Sequence, residues 1–430
     1  MKIALLNPPW TFEGSIYFGC REPHLPLELG YCRALLERDG HEVLLLDGHL
    51  MGQSGAELAA EIRLFGPAMT VVTTAPSYLF WRCAPPELRV PREMLDTLAG
   101  HGGQTVAVGP HGSATPGATL RKLGVDVVVM GECEEVVAAL AAGGVAGSVP
   151  GTAVLDHGVL RQAGGPQAAR FVDLAPLTWP EAWLRRHHHH HHRFDRAATG
   201  PGAEVEASRG CPYSCSFCAK IDFRDKYRRR DLAPMLAEID GLIARGVEYV
   251  YFIDEIFLPQ RPLLEALAGR RIEFGVQTRI DLWKPDMLAL LGAAGCVSIE
   301  AGVESLTEDG RAALDKRCKL STDELADLLI LARRHVPFVQ ANLLETQGDD
   351  AALVTAWRDG LRLAGVWAND PVPLYPYPSS PDYRRLFGLP DEQAWERAHS
   401  HYLSQFSSFS DIQEDRPVPL RQLERACRRG

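Results

Sequence analysis

Short apolar runs alternate with helical stretches along most of this chain, and they do so in two series. In the first, runs at residues 2–6, 42–46, 69–73, 105–108 and 125–130 are separated by amphipathic segments such as 26–39. Such alternation predicts a parallel sheet covered by helices on both faces. Ligands of these sheets bind at the carboxyl ends of the strands. Those ends here carry Pro9, then Thr74 and Ser77, then Gly109, His111 and Gly112, then Gly131 and Glu132. They are rich in Gly, Ser and Thr, which suit close backbone approach and hydrogen bonding; ordinary loop chemistry is the competing reading. The second series has runs at 204–208, 249–253, 272–276, 297–302 and 338–343, with a weaker one at 370–375. Helical patterns lie between them, for instance 232–244, 285–291 and 322–334. Six strand–helix units predict a partial (β/α)6 barrel of TIM type, with polar strand ends facing one mouth.

The rest of the chain fits between and after these two α/β units. At 430 residues, two to three domains are expected. Hydrophobic residues make up 46% and charged residues 23%, enough to build cores and too balanced for wholesale disorder. A formal charge of −10 argues against nucleic acid as the main partner. The first apolar run stops at Asn7-Pro8-Pro9, so no secretory signal is expected. The uncharged stretch 136–155 is Ala/Gly-rich and holds Pro150, which reads as a helix end and a loop and not as a membrane span. The ten cysteines form no secreted framework, and a reducing cytoplasm is the expected location. The pattern predicts domains at 1–145 and 204–385, a linker at 146–203 and a short helical extension at 386–430. The linker carries a hairpin signal at 149–162, a Trp-rich turn bracketed by Pro176 and Pro180, and six consecutive histidines, His187 to His192. That run reads as an engineered insert, a solvated linker or a metal-binding element; consecutive imidazoles alternate direction and rarely close a site.

Chemistry concentrates in Cys211-Pro212-Tyr213-Ser214-Cys215-Ser216-Phe217-Cys218, directly after the first strand of the second series. Three thiols so close are poor disulfide partners and leave one unpaired. A cubane [4Fe–4S] cluster held by three thiolates keeps one iron open for a ligand that takes part in chemistry. The rival is zinc with a distant fourth ligand, although zinc sites more often pair two C-x-x-C knuckles and no second knuckle is present. A second, weaker motif is Asp47-Gly48-His49-Leu50-Met51-Gly52, which fits the D-x-H-x-x-G pattern of a cobalt-ligating histidine. It follows the second strand, where the cobalamin proteins that use it have it after the first; a solvated loop histidine is the expected reading of His49.

The C-x-x-x-C-x-aromatic-C spacing of Cys211, Cys215, Phe217 and Cys218 resembles the signature of radical S-adenosylmethionine enzymes. So do the leading Ser208-Arg209-Gly210-Cys211-Pro212, the segment Ile299-Glu300-Ala301-Gly302-Val303-Glu304-Ser305, and Pro376-Tyr377-Pro378-Ser379-Ser380-Pro381. The first third is similar to the Rossmann-like, flavodoxin-like cobalamin-binding domain fused to one branch of that family. The match there is carried by Leu5-Leu6-Asn7-Pro8-Pro9, Gly109-Pro110-His111 and Gly124-Val125-Asp126 through Met130-Gly131-Glu132. The resemblance covers about residues 1–385. It implies a [4Fe–4S] cluster on Cys211, Cys215 and Cys218, with S-adenosylmethionine near Phe217, Asp254, Glu255, Arg279 and Glu300. It implies cobalamin near Pro9, Thr74, Ser77, Gly109, His111, Gly112, Gly131 and Glu132. For the carboxylates, a salt-bridge role is the competing reading. The family's Gly-Gly-Glu on the second barrel strand is replaced by Ile253-Asp254-Glu255, and its glycine-rich fifth-strand segment by 341–346. The activity so implied is methylation of an unactivated carbon, or less often phosphorus, of a small molecule. A flavodoxin or ferredoxin would be the electron donor, with no nucleic acid and no membrane involved. The alternatives are a cyclisation or rearrangement using the same cofactors, and a non-catalytic cobalamin or iron–sulfur sensor. A transfer-RNA thiomethylase is disfavoured, since the tail after Tyr383 is short and holds no basic module.

Overall fold

In the first third, alternate residues of each strand feed two different cores. β1 (Lys2–Asn7), β2 (Glu42–Asp47), β3 (Met69–Thr73), β4 (Gln104–Val108) and β5 (Val127–Val129) form one parallel sheet in the order β2-β1-β3-β4-β5. Ile3, Leu5, Val71, Val106 and Val129 pack on one face, while Ala4, Leu6, Val72, Ala107 and Val128 pack on the other. This is the two-sided burial that the run of apolar strands predicts. The strand order reverses between β1 and β3, as in flavodoxin-like folds, and opens a crevice at their carboxyl ends. The computed structural model describes residues 1–16, 21–78, 81, 83–187, 200–346, 348–405 and 417–425.

The hairpin β6 (Thr152–Asp156) and β7 (Val159–Ala163) pairs antiparallel onto β5 through Val128↔Ala153. The segment expected to open the linker therefore extends the first sheet, and Gln167 adds a parallel bridge to Gly131. Further along, Trp179 and Trp183 stack at 5.9 Å. Trp179 also lies against Gly30, where a Cβ would approach its ring to 2.6 Å. Of the histidine run, only His187 lies among the described residues. It is buried, its Nδ1 on the Gly202 carbonyl at 2.7 Å and its Nε2 on Glu204 at 3.1 Å.

The second sheet is built from β8 (Gly202–Val205), then β11 (Tyr249–Phe252), β12 (Glu273–Thr278), β13 (Cys296–Glu304), β14 (Phe338–Leu343) and β15 (Trp367–Ala368). The short strands β9 (Ser208–Arg209) and β10 (Arg228–Arg229) form a separate antiparallel pair between β8 and β11. The six strands run parallel in sequence order, β8-β11-β12-β13-β14-β15, as the six strand–helix units predict. One strand differs. The sixth was expected at 370–375, but β15 precedes that stretch, which holds Pro371 and Pro373 and leaves only a Leu344↔Val372 bridge. Proline supplies no N–H, so the ladder cannot continue through it. After the barrel, the helices Pro381–Phe387, Ala394–Gln405 and Leu420–Arg425 return to the first domain. Val418 N donates to the Gly14 carbonyl at 2.9 Å, and Lys122 pairs with Glu396 at 2.6 Å and Glu424 at 3.1 Å. Among the described residues, no helix is long and apolar enough to cross a membrane.

Candidate active site at the meeting of the two sheets

The cysteine loop is pinned at both ends and in the middle. β9 and β10 clamp its base. Gly210 takes φ +78°, and a Cβ there would meet the Lys226 carbonyl at 2.1 Å, so this tight turn requires glycine. Ser216 N donates to the Leu314 carbonyl at 3.0 Å, Asp382 N to the Ser216 carbonyl at 2.9 Å, and Lys220 Nζ to the Cys211 carbonyl at 2.7 Å. Cys211, Cys215, Phe217 and Cys218 are all half-buried. Burial pushes the Cys215 thiol up to about 11, against the pull of nearby Lys316. Among the described residues, no three His, Cys, Asp or Glu side chains converge on one ion. A cubane asks for a different arrangement, because each of its three thiolates binds a different iron. The loop's three half-buried thiols on a hydrogen-bonded frame fit that donor set.

Of the residues expected to hold S-adenosylmethionine, two are occupied in bracing this loop. Asp254 accepts from Ala207 N at 2.8 Å and Ser208 Oγ at 2.5 Å, and its burial pushes its carboxyl up to about 8. Glu255 accepts from Gly210 N at 2.6 Å and pairs with Arg224 at 2.9 Å. Arg279 lies over the Tyr213 ring at 4.2 Å, is held by Asp281 at 2.7 Å, and donates to the Lys316 carbonyl at 2.6 Å. Glu300 is buried on β13, with Asn342 Nδ2 at 3.4 Å from Oε2.

Two residues at this mouth were not singled out from sequence. Glu304, at the end of β13, takes φ +66° and pairs with buried Lys316 at 2.9 Å. Its second oxygen, Oε2, is buried without a hydrogen bond. The quoted Gly302-Val303-Glu304-Ser305 segment contained the signal for Glu304; nothing in periodicity marks Lys316.

The strand ends of the first sheet carry unsatisfied polar groups. The Thr74 and Ser77 hydroxyls are buried without hydrogen-bond partners. Both ring nitrogens of buried His111 are too; the backbones of Pro85, Pro86 and Thr74 face the ring without closing a hydrogen bond. Burial pushes this imidazole down to about 3, so it is neutral. Buried polar atoms in folded proteins are normally paired, and three such side chains at adjacent strand ends mark a place built for a hydrogen-bonding ligand. The surrounding glycines keep the backbone close. A Cβ at Gly109 (φ +141°) would meet Thr74 Oγ1 at 2.2 Å, and one at Gly112 would meet Val128 at 2.4 Å. Gly131 is crowded by the Gln167 carbonyl at 2.3 Å. Pro9 packs against Gly48 on the loop that follows β1. These residues fit cobalamin, a ligand rich in amides. Glu132 is engaged elsewhere, in ion pairs with Arg209 at 3.2 Å and with Arg228.

His49 is not in an open loop. Asp47 caps the short helix Gly48–Met51 by accepting from Leu50 N at 2.9 Å, and Gly52 ends it at φ +65°. The D-x-H-x-x-G spacing is accounted for here as an N-cap and a C-cap. His49 is half-buried edge-on to Phe12, and burial pushes its imidazole down to about 4.

An ion network joins the two sheets at the base of the cysteine loop. Arg209 is fully buried and contacts Glu206 at 2.9 Å and Glu134 at 2.7 Å, besides Glu132. The rings of Tyr31, Tyr78 and Phe171 surround its guanidinium at 4.6–5.0 Å. Since Glu132 and Glu134 follow β5 while Arg209 leads into the cysteine loop, this network fixes the distance between the two ligand-facing surfaces.

Residues 205–353 match the radical SAM superfamily. An uncharacterized methyltransferase of Pyrococcus horikoshii is 24% identical over 71% of this chain and 66% of its own length. An anaerobic magnesium-protoporphyrin IX monomethyl ester cyclase of Cereibacter sphaeroides is 24% identical over 90% of this chain and 64% of its own. The chain thus spans slightly under two thirds of these relatives. The fold is similar to that of the radical S-adenosylmethionine methyltransferase TsrM of Kitasatospora setae, solved with cobalamin and a [4Fe–4S] cluster. That match has a TM-score of 0.69 at 18% identity and covers 88% of this chain and 73% of the other.

Proposed function

We propose that this chain is a member of the B12-binding branch of the radical SAM superfamily and an enzyme that methylates an unactivated carbon, or phosphorus, of a small molecule. What supports the reading is that Arg209, at the base of the cysteine loop, is ion-paired with Glu132 and Glu134 beyond β5 of the first sheet, whose neighbouring strand ends carry the unsatisfied Thr74, Ser77 and His111. When bound, the cluster with S-adenosylmethionine supplies a radical able to remove hydrogen, and cobalamin supplies the methyl group. The residues would divide as follows. Cys211, Cys215 and Cys218 hold the cluster, with Phe217 between them. Arg279 and Glu300 are the mouth residues offered to S-adenosylmethionine, while Asp254 and Glu255 position the loop. Thr74, Ser77 and His111 offer hydrogen bonds to cobalamin, and Pro9, Gly109, Gly112 and Gly131 shape its bed. An external flavodoxin or ferredoxin would deliver the electron. The Kitasatospora enzyme has been solved with tryptophan as substrate, which supports a small molecule in this role here.

The test is product stoichiometry under anaerobic turnover. S-adenosylhomocysteine and 5′-deoxyadenosine should form in comparable amounts, and deuterium from labelled methyl should enter the product. The similarity to cyclases keeps one second reading, a cyclisation with the same cofactors. It replaces the first if 5′-deoxyadenosine forms without S-adenosylhomocysteine or methyl transfer.

A further inference from the structure

Glu204 stands where three separate parts of the chain come together. It lies on β8, the strand that leads into the cysteine loop, and it is fully buried. Its Oε1 is 2.9 Å from His24 Nδ1 and 3.1 Å from His187 Nε2, and its Oε2 accepts from Leu25 N at 3.2 Å. His24 and Leu25 lead into the helix Leu27–Arg38 of the first domain, and His187 follows the connector helix Glu181–Arg186. Both histidines are buried. His187 is tied to β8 a second time: Gly202 N donates to its carbonyl at 3.0 Å, and its Nδ1 meets the Gly202 carbonyl at 2.7 Å.

These partners fix the number of protons. A carbonyl oxygen only accepts, so Nδ1 of His187 carries a hydrogen. Nε2 then faces a carboxyl oxygen. Either Nε2 carries a second hydrogen and Glu204 is ionised, or Glu204 Oε1 carries that hydrogen and donates it to Nε2. In both cases the pair holds one proton more than an ionised glutamate beside a neutral imidazole. Burial alone would lower the His187 value, but Glu204 and the Gly202 carbonyl, with Asp47 beyond them, raise it. Asp47 is itself pushed up to about 7 by burial. His49, which lies near His24, is held neutral by burial, its value down at about 4. The neighbouring Arg186 guanidinium donates to the Met51 carbonyl.

We infer that His24, Glu204 and His187 form a proton-locked catch, which holds the connector and the first domain on the leading strand of the barrel and opens when its proton leaves for solvent. Without that proton the Nε2 lone pair faces an ionised oxygen in a buried site, which is strongly unfavourable. Glu206, the partner of Arg209, is two residues further along the chain, so opening the catch loosens the first domain beside the cysteine loop. The catch does not depend on which reaction the cofactors support.

The test is amide hydrogen exchange on the full chain carrying its cluster and cobalamin, at about pH 6 and about pH 8.5, with rates corrected for the intrinsic effect of pH. Protection of the Leu25 and Gly202 amides should fall about tenfold at the higher pH, while that of the β13 and β14 ladder changes less than about twofold. Glu204→Gln keeps an oxygen and loses the ionisable group, so protection at both amides should be low at either pH. His187→Gln should behave in the same way. Asp47→Asn keeps its helix cap and should retain the fall. Three results overturn the catch: equal protection at the two pH values in the wild-type chain, a fall shared by the whole barrel sheet, or a fall abolished by Asp47→Asn. The wild-type comparison needs no variant, so a variant that fails to fold leaves the test standing.

Discussion

Arg224, Glu304, Asp315 and Arg317 are four of the six non-glycine residues with left-handed backbone among those described, and all four lie around the barrel mouth. Such conformations cost on the order of 1–3 kcal/mol each and persist where the surroundings over-determine them. Here the surroundings are ion pairs, Glu304 with Lys316 and Arg224 with Glu206 and Glu255. Arg209 belongs to the same frame, and Arg209→Met should destabilise the chain by about 3–5 kcal/mol, because Glu132, Glu134 and Glu206 would stay buried with a charge removed. Chemical denaturation reads that loss directly; a shift under about 1 kcal/mol would mean the carboxylates are already neutral in the fold. The three cysteines should be separable from this frame. Replacing Cys211, Cys215 and Cys218 with Ala should bring bound iron from about four per chain to none while cobalamin binding survives. At His49 the expected result is no change, since the motif serves as helix caps. His49→Ala should leave the cobalamin absorption spectrum as in the wild type, and a spectral shift would reinstate it as a ligand. The cysteines were legible in sequence because thiol spacing is a local property. Lys316 and the bracing roles of Asp254 and Glu255 were not, because ion pairs across strand ends depend on which loops the sheet brings together.

At the scale of elements, legibility followed periodicity. The strands Met69–Thr73 and Phe338–Leu343 and the helix Leu232–Ala244 lie where their apolar pattern predicts them. The helix Thr322–His335 was also bounded by its chemistry, since Ser321 and Glu324 form a reciprocal capping box. Ser321→Ala should cost about 1 kcal/mol, measurable as a lower denaturation midpoint with unchanged cofactor content. What pattern could not give was partnership. The hairpin at β6 and β7 was legible as a hairpin, but its antiparallel docking on β5, which extends the first sheet, is a tertiary event. The last barrel strand was misplaced because apolar residues at 372–375 outweighed the missing N–H groups of Pro371 and Pro373. The C-terminal extension was legible as helical, and its return to Lys122 and His111 was not, because those contacts span some 270 residues of chain.

For the molecule as a whole, the joining of two sheets around buried ionisable groups has a consequence in pH. Burial pushes Asp47 and Glu87 up to about 7 and Asp254 up to about 8. In the unfolded chain such groups titrate near ~4. Between those limits the folded chain holds protons that the unfolded chain has released, so stability falls as pH rises, and it levels off once the folded groups have ionised. His187 acts in the same sense. Its folded value is raised through Glu204 and Gly202 despite burial, so its contribution is full below about 6.5 and is lost as pH passes the folded value. His111 and His49 act oppositely. Their folded values are pushed down to about 3 and about 4, so their contribution grows with pH only until the unfolded imidazole deprotonates, near ~6.5. Above that point only the falling contributions remain. The melting temperature should therefore decline from about pH 6.5 to about pH 8.5, each retained proton contributing at most ~1.4 kcal/mol per pH unit. Asp254→Asn should flatten the upper part of that decline, because the amide keeps the acceptor toward Ala207 N and has no proton to lose. A melting temperature that climbs across the same interval would show that these carboxyls are ionised in the folded chain, and with that the bracing of the cysteine loop would be an ionic one.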